Sequence, residues 1–155
     1  MINNLKLSST GLELIKHYEG CKLEAYQDQG GIWTIGYGAT HINGQPVYRG
    51  QIITSDEACN LLLHQLSYFE RDVNIQTKVL LTQCQFDALV SFAYNCGDGA
   101  LLESSLLKNI NNKHPHAALS FLLWDKVKGI TDTGLLRRRM SEMHYYLTGQ
   151  VIYYN

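Results

Sequence analysis

Apolar residues recur at helical spacing over most of this chain and alternate with polar ones in one stretch near its start. Leu12, Ile15 and Glu19 stand three and four residues apart, on one face of a helix. Thr10 with Glu13 reads as a capping box and Gly20 as a stop, which predicts a helix from about Gly11 to Tyr18. Leu23–Tyr26 and Ile32–Ile35 carry strand-like residues, and Gln27-Asp28-Gln29-Gly30-Gly31 between them reads as a hairpin loop. Asn43-Gly44 is a further turn signal, closing a third short strand. From Thr54 the pattern becomes helical and stays so. Thr54 with Glu57 makes a capping box, followed by a stripe of Ala58, Leu61, Leu62, Leu66, Phe69 and Val73. Thr82 with Gln85 opens another helix, which carries Phe86, Leu89, Val90 and Ala93 inward and ends at Gly97 and Gly99. Further helices are expected over 100–112, over 115–127 with Pro115 in the first turn, and over 135–148.

These elements predict an α+β chain that is mainly α. A small lobe over about 10–55, one helix plus a three-stranded hairpin sheet, is joined by a long helix to a helical lobe over about 56–155. The whole of 1–155 is expected to form one domain, with the cleft between its lobes as the natural ligand site.

Composition narrows the function. The formal net charge is −1, and Arg137-Arg138-Arg139 is the one basic block, so the basic face that nucleic acid requires is missing. Those arginines suit intramolecular pairs, or the docking of an anionic peptide. The N-terminal residues lack the apolar core of a signal peptide, and no apolar stretch is long enough to span a bilayer, so synthesis in the cytoplasm without membrane insertion is expected. Cys21, Cys59, Cys84 and Cys96 form no CxxC pair and are expected as reduced thiols, with pairing open in an oxidising space. The six histidines make no metal-binding pattern, so no metal is expected.

The densest chemistry lies at Glu19, Asp28 and Thr34. Each has a plain reading alone: a helix-end glutamate, a turn aspartate bonding its own backbone, a β-branched strand residue. Glu19, however, continues an inward face, where a carboxylate is usually paired or working. A helix end and a neighbouring hairpin also supply what glycosidic cleavage requires, an acid for the leaving oxygen and a base for water on the opposite face.

The run E-x8-D-x5-T-I-G-x-G resembles the signature of phage-type lysozymes, glycoside hydrolase family 24. Further matching runs are the stretch from Thr82 to Leu89, Phe92-Ala93-Tyr94-Asn95-Cys96-Gly97, and Gly134-Leu135-Leu136-Arg137-Arg138-Arg139 followed by Glu142. The resemblance implies a lysozyme-like two-lobed fold and a muramidase. It would hydrolyse the β-1,4 bond between N-acetylmuramic acid and N-acetylglucosamine with inversion, without cofactor or metal. Glu19 is then the general acid, Asp28 the base or electrostatic partner, and Thr34 a holder of the attacking water. Tyr94, Asn95 and Ser105 are implied as substrate-binding residues. The same resemblance implies a monomeric endolysin that acts on peptidoglycan glycan strands. It would be held in the host cytoplasm until a holin lesion admits it to the periplasm and wall. One departure is evident: the family's His after G-x-G is Ala39 here, with His41 two residues on. A lytic transglycosylase and a non-catalytic peptidoglycan-binding protein on the same scaffold are the alternatives.

Overall fold

The computed structural model describes residues 1–97 and 99–155. Its contacts divide it into two compact units, Ile15–Tyr68 and Met1–Leu14 with Phe69–Asn155. Helix α1 (Ser9–Glu19) and helix α2 (Ser55–Gln76) each run from one unit into the other. The mainly helical α+β class read from the sequence is the one observed, with short antiparallel sheets.

Helix α1 begins earlier than expected because its cap is Ser8 rather than Thr10. The Ser8 Oγ accepts from the Gly11 N–H at 3.1 Å, and the Ser8 carbonyl accepts the first helical bond from Leu12. The expected Thr54–Glu57 box is present at the start of α2, with bonds of 2.7 and 3.1 Å.

In the unit Ile15–Tyr68, strands β1 (Lys22–Gln27) and β2 (Trp33–Gly36) form the expected hairpin, pairing Tyr26 with Thr34 and Gln27 with Trp33. Strands β3 (His41–Ile42) and β4 (Gln45–Pro46) form a second hairpin, turned by Asn43 and Gly44, which both take positive φ. The expected three-stranded sheet is therefore two two-stranded ones. The segment after Gly50 meets β1 in an isolated antiparallel bridge between Glu24 and Ile52, with Ala25 N–H to Gln51 O and Ile53 N–H to Leu23 O both 2.9 Å. Beneath lies a small core of Ile35, Ala39, Val47, Ile53 and Ala58, against which Trp33 and Tyr37 pack.

The other unit is built on helix α3 (Gln83–Cys96), capped by the expected Thr82–Gln85 box, and helix α6 (Thr133–Thr148). Two buried polar clusters join them. Asp87, fully buried on α3, accepts from the Ser8 N–H at 3.1 Å, the Ser8 hydroxyl, the Gln83 amide at 2.9 Å and the Tyr145 phenol at 2.8 Å. A Cβ on Gly11 would stand 2.6 Å from the Asp87 Cγ, so only glycine admits this approach. In the second cluster, Glu142 is fully buried between Arg138 at 3.2 Å and Arg139 at 2.8 Å, and also accepts from the Ser91 hydroxyl at 2.7 Å. The N-terminal residues are stitched to the end of α2 and the segment after it, with Asn3 bonded to Thr77, Val79 and Leu81, and Leu5 to Asn74.

The helix expected over 100–112 is interrupted at Ser104, whose extended backbone (ψ 146°) ends α4 (Ala100–Glu103). Its hydroxyl then caps α5 (Ser105–Asn111) through the Leu107 N–H at 3.0 Å. The helix expected over 115–127 is instead a 3-10 helix over Ala117–Leu123, followed by a hairpin of β5 (Lys126–Val127) and β6 (Ile130–Thr131). Lys128 and Gly129, both at positive φ, form its turn.

Two measurements test this packing. Burial, reinforced by the bond to Asp87, pushes the Tyr145 phenol up to about 12. The native state thus favours the protonated phenol. That part of the stability is complete below the ordinary tyrosine value of about 10 and is lost as pH rises from there toward about 12. Chemical denaturation across that window should show a shallower fall in Tyr145→Phe than in the wild type. Glu142→Gln leaves two buried guanidinium groups facing a neutral acceptor, and urea denaturation at neutral pH should show a loss of about 3–5 kcal/mol.

Candidate active site

The β1–β2 loop is organised around one aspartate. Asp28 follows directly on the Gln27–Trp33 pair that closes the ladder. Its N–H donates to the Ile32 carbonyl and its carbonyl accepts from Gly31, both at 3.0 Å. The side chain turns back onto the same loop. Oδ1 accepts from the Gly30 N–H at 2.8 Å and the Ile32 N–H at 2.9 Å. A turn aspartate bonding its own backbone is therefore what the structure contains, and this does not compete with chemistry. Both peptide donors meet Oδ1, which leaves Oδ2 uncommitted among the described residues of an exposed side chain.

Glycine is required at the loop's far end, where Gly31 has φ +79°. The Gly31 carbonyl accepts from the Gln27 side-chain amide at 3.1 Å. Thr34 sits two residues beyond Ile32 on β2, buried at 5 % exposure, and its hydroxyl donates to the Ile32 carbonyl at 3.0 Å. With its one proton spent there, the Thr34 oxygen meets any further partner as an acceptor. Ile32 thus links the two side chains, its N–H to Asp28 and its carbonyl to Thr34.

Glu19 is the last residue of α1 and half-buried. Gly20, at φ +66°, ends the helix, and one further residue leads into β1, so the helix end and the hairpin are covalent neighbours. The sequence-predicted trio Glu19, Asp28 and Thr34 lies wholly within the unit Ile15–Tyr68. In the same unit the Lys22 ammonium stands 4.3 Å from the centre of the Tyr26 ring. Burial raises the Tyr37 phenol above its ordinary value. Ala39 is part of the small core and exchanges backbone bonds with Ile35, while His41 is exposed and bonded through Nδ1 to the Thr40 hydroxyl at 3.0 Å.

The three sequence-predicted binding residues belong to the other unit. Tyr94 packs edge-to-face on Phe69 with ring centres 5.5 Å apart. The Asn95 carbonyl oxygen accepts from Arg139 at 2.8 Å. Ser105 is exposed at the first position of α5. Asn95 also lines a cavity of about 470 Å³ with Cys96, Leu123, Trp124, Lys126 and Leu135. Trp124 and Lys126 went unread in the sequence because the segment around them looked helical. The local signal was Gly129, a turn-forming residue just beyond that segment. All four cysteines are free, Cys21 exposed and the others half-buried.

The family described as phage lysozyme matches residues 16–142. The endolysin of Bacillus phage B103 is 42% identical over 149 residues, which cover 94% of this chain and 56% of that protein. This chain therefore spans little more than half the length of that relative. The endolysin of Acyrthosiphon pisum secondary endosymbiont phage 1 is 38% identical, with 89% of this chain and 95% of that protein covered. Among solved structures, the endolysin from Escherichia coli O157:H7 phage FAHEc1 superposes with a TM-score of 0.91 at 41% identity, covering 97% of this chain and 98% of that one. The match takes in the α1 end, the Asp28 hairpin and the buried Arg138–Arg139–Glu142 cluster alike, and this chain belongs to the phage lysozyme family.

Proposed function

We propose that this chain is an endolysin that hydrolyses the β-1,4 bond between N-acetylmuramic acid and N-acetylglucosamine in bacterial peptidoglycan, with inversion, to lyse the host cell. The observation that carries the reading is the division of labour within the β1–β2 loop. Asp28 is anchored through Oδ1 alone, and Thr34 is fixed as an acceptor. A water that donates one proton to Asp28 Oδ2 and the other to Thr34 Oγ1 has its lone pair left for the anomeric carbon.

Glu19 is the acid. Its carboxyl proton passes to the departing glycosidic oxygen as the carbon–oxygen bond breaks, and the water's proton passes to Asp28 as the new bond forms. Solvent then returns both carboxyls to their starting states. Attack from the face opposite the leaving group inverts the anomeric centre, a geometry that needs the two carboxyl groups roughly 6.5–9.5 Å apart. A transglycosylase would use the glycan's own hydroxyl and need no base for water, so the built-in Asp28–Thr34 pair favours hydrolysis.

Tyr94, Asn95 and Ser105 are assigned to glycan binding, with Asn95 contributing its side-chain N–H groups because its oxygen is bonded to Arg139. Residues 1–155 act as one lysozyme-like domain and as a monomer, without cofactor or metal. Among the described residues no helix is long and apolar enough to cross a membrane. We assign its passage from the host cytoplasm to the wall to a holin lesion.

Glu19→Gln removes the acid without changing the shape of the side chain. Release of new reducing ends from purified Gram-negative walls should fall by about 10²–10⁴-fold with the thermal midpoint preserved. Undiminished release by that variant would overturn the assignment.

A further inference from the structure

Gln27 has no role in the reading above, yet it makes a side-chain contact that crosses the mouth of the Asp28 loop. Its amide donates to the Gly31 carbonyl at 3.1 Å. That carbonyl and the Ile32 N–H are the two ends of one peptide unit, and the Ile32 N–H donates to Asp28 Oδ1 at 2.9 Å. One rigid plane is therefore held at both ends, by Gln27 on one side and by the catalytic carboxylate on the other.

The loop gives this tie something to prevent. Gly30-Gly31 supplies the most permissive backbone in the hairpin, and Gly31 already takes φ +79°. Rotation of the Gly31–Ile32 peptide would carry the Ile32 N–H away from Asp28. The carboxylate would then be held by Gly30 alone and free to turn about its last torsion. Polarisation acts in the same sense, because a donor on the carbonyl strengthens the N–H at the other end of the amide. A third bond in the loop, Gly31 N–H to the Asp28 carbonyl at 3.0 Å, fixes the preceding peptide but does not touch this one.

We propose that Gln27 is a positioning residue for the Asp28 base, locking the Gly31–Ile32 peptide so that Oδ2 stays presented to the attacking water. The catalytic consequence rests on the proposed hydrolysis, whereas the tie itself does not. Gln27 is exposed, so the bond competes with water and contributes little to global stability. Its effect falls on turnover.

Two variants and two readouts separate the possibilities. Gln27→Met keeps the length of the side chain without a donor, and Gln27→Lys restores one. On soluble, uncross-linked glycan strands, Gln27→Met should lower kcat about five- to tenfold with KM within about twofold and the thermal midpoint within about 2 °C. Gln27→Lys should return kcat to within about twofold of the wild type. Without substrate, amide hydrogen exchange followed by NMR should quicken at Ile32 in Gln27→Met and stay at the wild-type rate in Gln27→Lys. Unchanged Ile32 exchange in Gln27→Met would overturn the tie. Faster exchange with unchanged kcat, or a loss in stability and KM that parallels kcat, would overturn the positioning role. A wild type that cleaves no glycan while the exchange difference persists would overturn the proposed function and uphold the tie.

Discussion

Two peptide N–H groups on one oxygen of Asp28 are the constraint that the hairpin is built to satisfy. Gly30 and Ile32 approach within 2.8 and 2.9 Å of Oδ1, in a loop whose Gly31 takes positive φ. The loop could not hold that shape on a loose base. Strand β2 is seated by Ile35, fully buried in the core with Ala39, Val47, Ile53 and Ala58, and by Thr34, which pairs with Tyr26 across the ladder. Main-chain donors suit the task because, once the Gly31–Ile32 peptide is held, they have less freedom than the long side chain of a lysine or arginine partner. They also leave the second oxygen of the carboxylate unspent.

The helical unit meets a different constraint, with charge where a core would ordinarily be apolar. Arg138, Arg139 and Glu142 are all within 3 % exposure, and such a cluster is tolerable only when its hydrogen-bonding groups find partners. Ser91, Asn95 and the Cys96 sulfur supply several, and the Phe92 ring lies 5.0 Å from the Arg139 guanidinium. The pairing of α3 with α6 is thereby specified by geometry as well as by apolar burial. Two of the three consecutive arginines are structural, and Arg137 alone is exposed. Burial also raises the Cys96 thiol, with the neighbouring Arg139 opposing the shift.

What the sequence disclosed follows from which interactions are local. The caps at Thr54 and Thr82 and the Asn43-Gly44 turn each depend on residues within four positions, and each was read correctly. Of the stripe expected on α2, Ala58, Leu62, Leu66 and Val73 are buried, while Leu61 and Phe69 at its margins are half-buried. Ser8 was overlooked as a cap because Ser9 and Thr10, also of capping type, follow it directly, and the bond to Asp87 that sets it apart spans seventy-nine positions. The stitching of Asn3 to Thr77 and Leu81 is equally distant. Ser104 breaks a run with unbroken apolar periodicity by capping the next helix, a choice that depends on its backbone leaving the helical region. The double-ended grip on the Gly31–Ile32 peptide was invisible for another reason: no residue type in Gln27 to Ile32 dictates which way a glycine peptide faces.

The stereochemistry of the first product tests the proposed mechanism most directly, because that mechanism has water activated by Asp28 and held by Thr34. Proton NMR of soluble glycan strands during early turnover, before mutarotation, should show new reducing ends as the α anomer. New ends appearing as the β anomer would mean that Asp28 acts as a nucleophile through a covalent intermediate, and ends closed as 1,6-anhydro sugars would mean that no water is activated at all.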